Sequence, residues 1–144
     1  AVVCTGLLAG IYLGDRMGSS YARAELSPSS FVQYQQIVHV HFSKFLPFMV
    51  IAAVLTSLSW VILIRSHWRG AEFWLIAAAS CGIIVAAALT RMVNVPLNDQ
   101  LMTWSIADPP TNLRELWAPW ETVNTIRSFL ATGAFVFQVI ALIL

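Results

Sequence analysis

Charge is what this sequence lacks. Acidic and basic side chains make up 10% of its 144 residues, where a soluble domain carries about 25%, so a water-exposed globular surface cannot be built from it. The balance is close to neutral, a formal +1, which excludes the basic face that nucleic-acid binding requires. Cysteine is scarce: Cys4 and Cys81 both lie in apolar runs and read as small hydrophobes rather than as a bridge or a metal site. No CxxC, HExxH, phosphate-cradling glycine loop or GxSxG segment occurs, so the common redox-dithiol, zinc-hydrolase, nucleotide-binding and serine-hydrolase signatures are all missing.

What is present is hydrophobic. Apolar residues reach 58% and the mean hydropathy is +0.74, the composition of an integral membrane protein whose main partner is the lipid bilayer. A spanning helix needs about 20 mostly apolar residues. Four segments qualify, residues 1–22, 45–64, 73–95 and 123–144. They predict an all-α fold, a four-transmembrane-helix bundle forming a single domain. Four spans place both termini on one side with the short loop 65–72. Arg65 and Arg69 in that loop make the side cytoplasmic by the positive-inside rule. The opposite side holds two longer connections, and there the polar residues gather.

Ala22-Arg-Ala24 resembles a signal-peptidase site, but no basic stretch precedes the apolar run. Gly6, Gly10, Gly14 and Gly18 instead form a ladder at i, i+4. Such a ladder predicts close helix packing, with Ala78, Gly82 and Ala86 of the third span as the matching strip. Ser27-Pro28 reads as a helix start. The pattern through Phe31, Tyr34, Val38 and Phe42 predicts a long extension of helix two, kinked at Pro47 rather than ended by it. The third span is expected to stop before Pro96. A short interfacial helix with Leu97, Leu101 and Trp104 follows, then a break at Asp108-Pro109-Pro110, then a second short helix capped by Thr111 or Asn112 and running through Trp117. Trp104, Trp117 and Trp120 fit an aromatic belt.

Two arginines stand where a membrane chain should avoid them. Arg91 closes the third apolar run and Arg127 lies inside the fourth. On a helix Arg91, Asn94 and Asn98 share one face, as do Trp120, Asn124 and Arg127. Asp15 and Arg16 from the first span, and Tyr34, Gln35, His39 and His41 from the helix-two extension, reach the same end. A guanidinium at the hydrocarbon edge costs a few kcal/mol or more and is therefore paired or functional. Both readings stand on the residues alone. In one, Asp15 pairs with Arg91 or Arg127 and the asparagines bond to backbone. In the other, two arginines against one intramembrane acid leave a positive surplus that would hold an enolate, phenolate or semiquinone. His39 and His41 point about 200° apart on a helix and cannot share a metal facially. His39, above Gln35, is the inward candidate for a general base.

The pattern Arg91-x-x-Asn94-Val-Pro96-Leu-Asn98, an Asp-Pro connection, Trp117, and Trp120-x-x-x-Asn124-x-x-Arg127 resembles the anthrone oxygenase-like membrane family, much of it a domain of unknown function. The resemblance implies a four-helix membrane protein and, for characterised members, oxidation of an anthrone to an anthraquinone by molecular oxygen with no established metal or flavin, hence no expected cofactor. With that chemistry His39 or Asp15 would be the base. Arg91 and Arg127 would hold the oxyanion, oriented by Asn94, Asn98 and Asn124, and Trp117, Trp120 and Phe42 would flank a flat lipophilic aromatic ligand. Two other readings compete. One is a non-catalytic accessory subunit of a larger membrane complex or homo-oligomer. The other is a quinone or haem binder.

Overall fold

A computed structural model describes all 144 residues, and it is helical throughout, with no strand. Helix α1 spans Val2–Gly14 and passes through a π-helical turn, Asp15–Ser19, into α2, Ser20–Glu25. Helix α3 is Pro28–Phe42 and α4 is Leu46–Leu63. A 3₁₀ turn, Arg65–His67, leads to α5, Ala71–Leu89. A second π turn, Thr90–Asn94, joins α5 to α6, Val95–Leu101. Helix α7 then runs unbroken from Leu113 to Ile143.

Three helical stretches are long and apolar enough to cross a membrane: Leu46–Leu63, Ala71–Leu101 and Leu113–Ile143. The first helix, expected as a span over 1–22, is not among them. Its α-helical part is 13 residues, about 20 Å at 1.5 Å per residue, before Asp15 and Arg16 interrupt the apolar run.

Several boundaries differ from those the sequence predicts. Ser27 caps α3 as expected, its Oγ accepting from the Ser30 amide at 3.3 Å, with Pro28 at the first turn. The chain does not merely kink near Pro47, however. Phe45, at φ −128° and ψ −29°, breaks the helix, and Pro47 sits in the first turn of α4, where its missing N–H costs nothing. Helix two and its extension are thus two helices. Pro96 does not end the third segment either. The Val95 amide bonds back five residues to the Thr90 carbonyl, and this widened turn delivers Pro96 to the first turn of α6. The second short helix and the fourth span are one: Asn112 precedes α7, and Pro119 lies within it.

Helix α7 packs along α5 and α1, and α4 closes the group against α5 and α1. The shared core is built largely of alanine, with Ala9, Ala53, Ala79, Ala131 and Ala134 around Leu8, Tyr12 and Ile83. Small side chains let helix backbones approach where lipid supplies no hydrophobic drive. The glycine ladder does not serve this purpose within the chain. Thr5, Leu8, Ala9 and Tyr12 form the buried stripe of α1, which leaves Gly10, Gly14 and Gly18 facing open space. Only Gly6 meets a neighbour, the Phe135 ring. In α5, Ala78 is exposed, Ala86 is buried, and Gly82 lies against the Leu130 carbonyl and Ala134 of α7 rather than against α1. A second cluster, Phe31, Val32, Leu101, Leu113, Trp117 and Trp120, joins α3, α6 and the start of α7 into a cap over one end.

Candidate functional site

The polar end of the molecule is organised by an arginine that sequence reasoning passed over. Arg23 of α2 is 1% exposed. Its Nη1 and Nη2 donate to the two Asp15 oxygens at 2.6 and 3.0 Å, and its Nε and Nη2 donate to Glu121 at 2.9 and 3.2 Å. These are the only ion pairs of the structure. The π turn beginning at Asp15 lies between the two residues of the first pair and sets how its carboxylate meets Arg23. Burial works against the charge of Arg23, and the bonds and ion pairs to Asp15 and Glu121 offset that cost. Asp15 therefore pairs with Arg23, not with Arg91 or Arg127.

Arg127 is also buried, at 6% exposure, yet no carboxylate pairs with it. Its Nε and Nη2 both donate to Asn124 Oδ1, at 3.0 and 2.9 Å, and Nη1 reaches Thr90 Oγ1 at 3.4 Å. Asn124 is held in turn by donating its Nδ2 to Asp15 Oδ2 at 2.7 Å. The guanidinium lies 4.4 Å over the Tyr12 ring and 5.3 Å from the Trp120 ring, on which Arg23 also rests at 5.3 Å. Trp120 thus has two cations near its ring, a favourable use of its π system. Its indole N–H donates to Asn98 Oδ1 at 2.9 Å.

Beside this network is a cavity of about 340 Å³. Of the residues singled out from sequence, Asp15, His39, Phe42, Arg91, Asn98, Trp120 and Arg127 line it. Three do not. Asn124 is wholly buried behind the wall, orienting Arg127. Asn94 is 1% exposed and donates to the Trp120 carbonyl at 3.2 Å. Trp117 stacks on Trp120 at 4.8 Å inside the aromatic cluster, so it supports the wall rather than flanking a ligand. The second π turn explains the split of the first stripe: it breaks the i, i+3 register, leaving Arg91 exposed while Asn94 is buried. His41 is exposed, bonded to the Ile37 carbonyl of its own helix at 2.8 Å, whereas His39 is half-buried on the cavity wall.

The lining combines apolar Ile11, Val50, Ile51 and Ala87 with polar Tyr12, Gln35 and Thr90. Neither Arg23, Glu121, Tyr12 nor Thr90 stood out in the sequence, since each reads locally as an ordinary helix residue. Their roles depend on contacts across as many as 116 positions.

No curated protein and no solved structure matches this chain. The family model for anthrone oxygenase matches residues 34–137. That span holds His39, Arg91, Asn98, Trp120, Asn124 and Arg127, and it leaves Asp15 and Arg23 outside. Covering well over half of the 144 residues, the match means that the chain belongs to the anthrone oxygenase family, as a membrane protein with three apolar spanning stretches.

Proposed function

We propose that this protein is a membrane-embedded, cofactor-independent oxygenase that oxidises a flat lipophilic aromatic ketone in the cavity beside Arg127. In this reading the chain is a single domain. Helix α1 and its continuation act as a fourth span beside α4, α5 and α7, and loop 65–72 faces the cytoplasm with both termini. The observation that carries the proposal is the state of Arg127: buried, fixed by Asn124, lining a cavity that also has apolar walls, and paired with no carboxylate. A dry cation of this kind stabilises negative charge that develops on a bound oxygen.

The reaction needs a base, an oxyanion partner and exclusion of water. Asp15 is engaged by Arg23 and Asn124, so its oxygens are already taken up as hydrogen-bond acceptors. His39, on the wall without those ties, is the base. It removes one methylene proton of an anthrone, and the electron pair delocalises onto the ketone oxygen beside Arg127. Molecular oxygen takes up those electrons and bonds to the former methylene carbon, and the proton returned from His39 completes a hydroperoxide. Loss of the second methylene hydrogen as a proton, with cleavage of the O–O bond, releases one water and leaves the new ketone. One oxygen atom enters the product and the other leaves as water. Trp120 and Phe42 flank the ring, with Asn98 holding the Trp120 indole in place.

Oxygen uptake and quinone absorbance with anthrone as substrate test the proposal. Replacing a preorganised oxyanion donor costs roughly 100- to 1,000-fold in turnover, so Arg127→Met should lower the rate on that scale, and Arg127→Lys should recover only part of it. Unchanged turnover in folded Arg127→Met removes this arginine from the chemistry.

A further inference from the structure

Two adjacent glutamines on α3 have opposite fates. Gln36 donates its Nε2 to the Leu101 and Trp104 carbonyls, both at 3.0 Å, and so holds the end of α6 against α3. Gln35 is more deeply buried, at 4% exposure, yet its Oε1 has no hydrogen-bond partner. Leaving a buried acceptor unsatisfied is costly, so a native structure that retains one invites a missing partner.

Four other buried polar atoms are also unpaired, on Thr5, Asn94, Thr132 and Gln138. None of those residues lines the cavity, and Gln35 does. It shares that wall with His39, one helical turn further along α3, and with Phe42. The Oε1 is closed off as the amide stands, and a half-turn of the amide exchanges oxygen for nitrogen, so the group that can meet this amide from the cavity in either orientation is a hydroxyl, which donates and accepts.

We propose that Gln35 is a specificity-determining residue, taking a hydrogen bond from a phenolic hydroxyl of the aromatic ligand. This rests on the aromatic reading of the cavity. Arg127 and Gln35 then divide recognition: the arginine reads the oxygen that becomes anionic, and the glutamine reads a neutral ring hydroxyl. A site built around a hydroxyl discriminates against analogues without it, because its own polar group is then stranded.

The test compares binding of 2-hydroxyanthraquinone and anthraquinone to the detergent-purified protein by tryptophan quenching, at a pH where the phenol is neutral. The expected preference for the hydroxylated probe is about tenfold, one hydrogen bond's worth. Gln35→Met, of similar volume, should erase it, with anthraquinone bound as tightly as before or more so. Gln35→Asn, which withdraws the amide by one methylene, should reduce it. Equal binding of the two probes by the unaltered protein, or a preference that survives in Gln35→Met, overturns the assignment of Gln35 while leaving the aromatic reading intact. Failure of both probes to bind overturns the aromatic reading and this inference with it.

Discussion

The two buried clusters of this molecule solve the same packing problem with opposite materials. Between α1, α4, α5 and α7 the core is mostly alanine, and two buried side-chain bonds cross it, from Gln138 Nε2 to Ser57 Oγ at 2.8 Å and from Ser128 Oγ to the Tyr12 carbonyl at 3.0 Å. At the capped end, tryptophan and phenylalanine fill the space, and Arg23, Asp15, Glu121, Asn124 and Arg127 form a continuous bonded chain. The alanine region gains its stability from closeness: each small residue admits a neighbouring backbone, and dispersion does the rest. The cap gains it from directed bonds between charged groups that would be costly if left alone. The cavity lies where the two meet, lined by Ile11, Tyr12, Leu46 and Val50 from the alanine side and by Trp120 from the cap.

The largest effect is expected in the cap. Arg23→Met leaves Asp15 and Glu121 without their shared cation and removes one of the two charges near the Trp120 ring. Breaking a buried pair costs about 3–5 kcal/mol. Both carboxylates keep roughly a quarter of their side-chain surface exposed, 24% and 29%, so the loss should fall at or below the low end of that range. Denaturant or thermal unfolding in detergent measures it. A loss below about 1 kcal/mol, the scale of an exposed pair, would show that the aromatic cluster alone holds the cap.

The alanine region should break by overfilling. Ala131 is 0% exposed within it, and Ala131→Leu should cost about 1–3 kcal/mol. It should also leave the Gln35-dependent probe preference in place, since Ala131 lies outside the cavity lining. Loss of that preference would mean that the two regions are mechanically coupled. The smallest effect belongs to the outer face of α1. A methyl at Gly10 would meet nothing within 4 Å, so Gly10→Ala should raise stability by about 0.5–1 kcal/mol through helix propensity. A loss instead would reveal that another helix covers this face in the membrane.

The helical class and the polar end were legible from hydropathy and from residues three or four apart, because both signals are local. So was the alignment of His39 with Arg91 and Arg127 at one end, which follows from counting segments. The register around Arg91 and Asn94 was not, since a π turn cannot be read from side-chain spacing that assumes 3.6 residues per turn. Proline misled in a related way. Pro47 was read as a kink and proved to be a first-turn residue, a role that depends on the backbone just before it; Pro96 does sit in the first turn of the short helix expected after the third span, but a π turn joins the two without a break. Arg23 was hidden because its partners are Asp15, across a π turn, and Glu121, in another helix.

The two π turns carry a consequence for how such a molecule can change. Each is in effect a one-residue insertion that the helix has absorbed locally. A residue added to an ordinary helix would swing everything beyond it by about 100° and turn lipid-facing side chains inward. Here that swing is confined to the short segments at the cap, so the buried stretch and the polar end are phased independently. Selection can re-aim Asp15 or Asn94 by gaining or losing a single codon, without disturbing a single alanine contact beneath them.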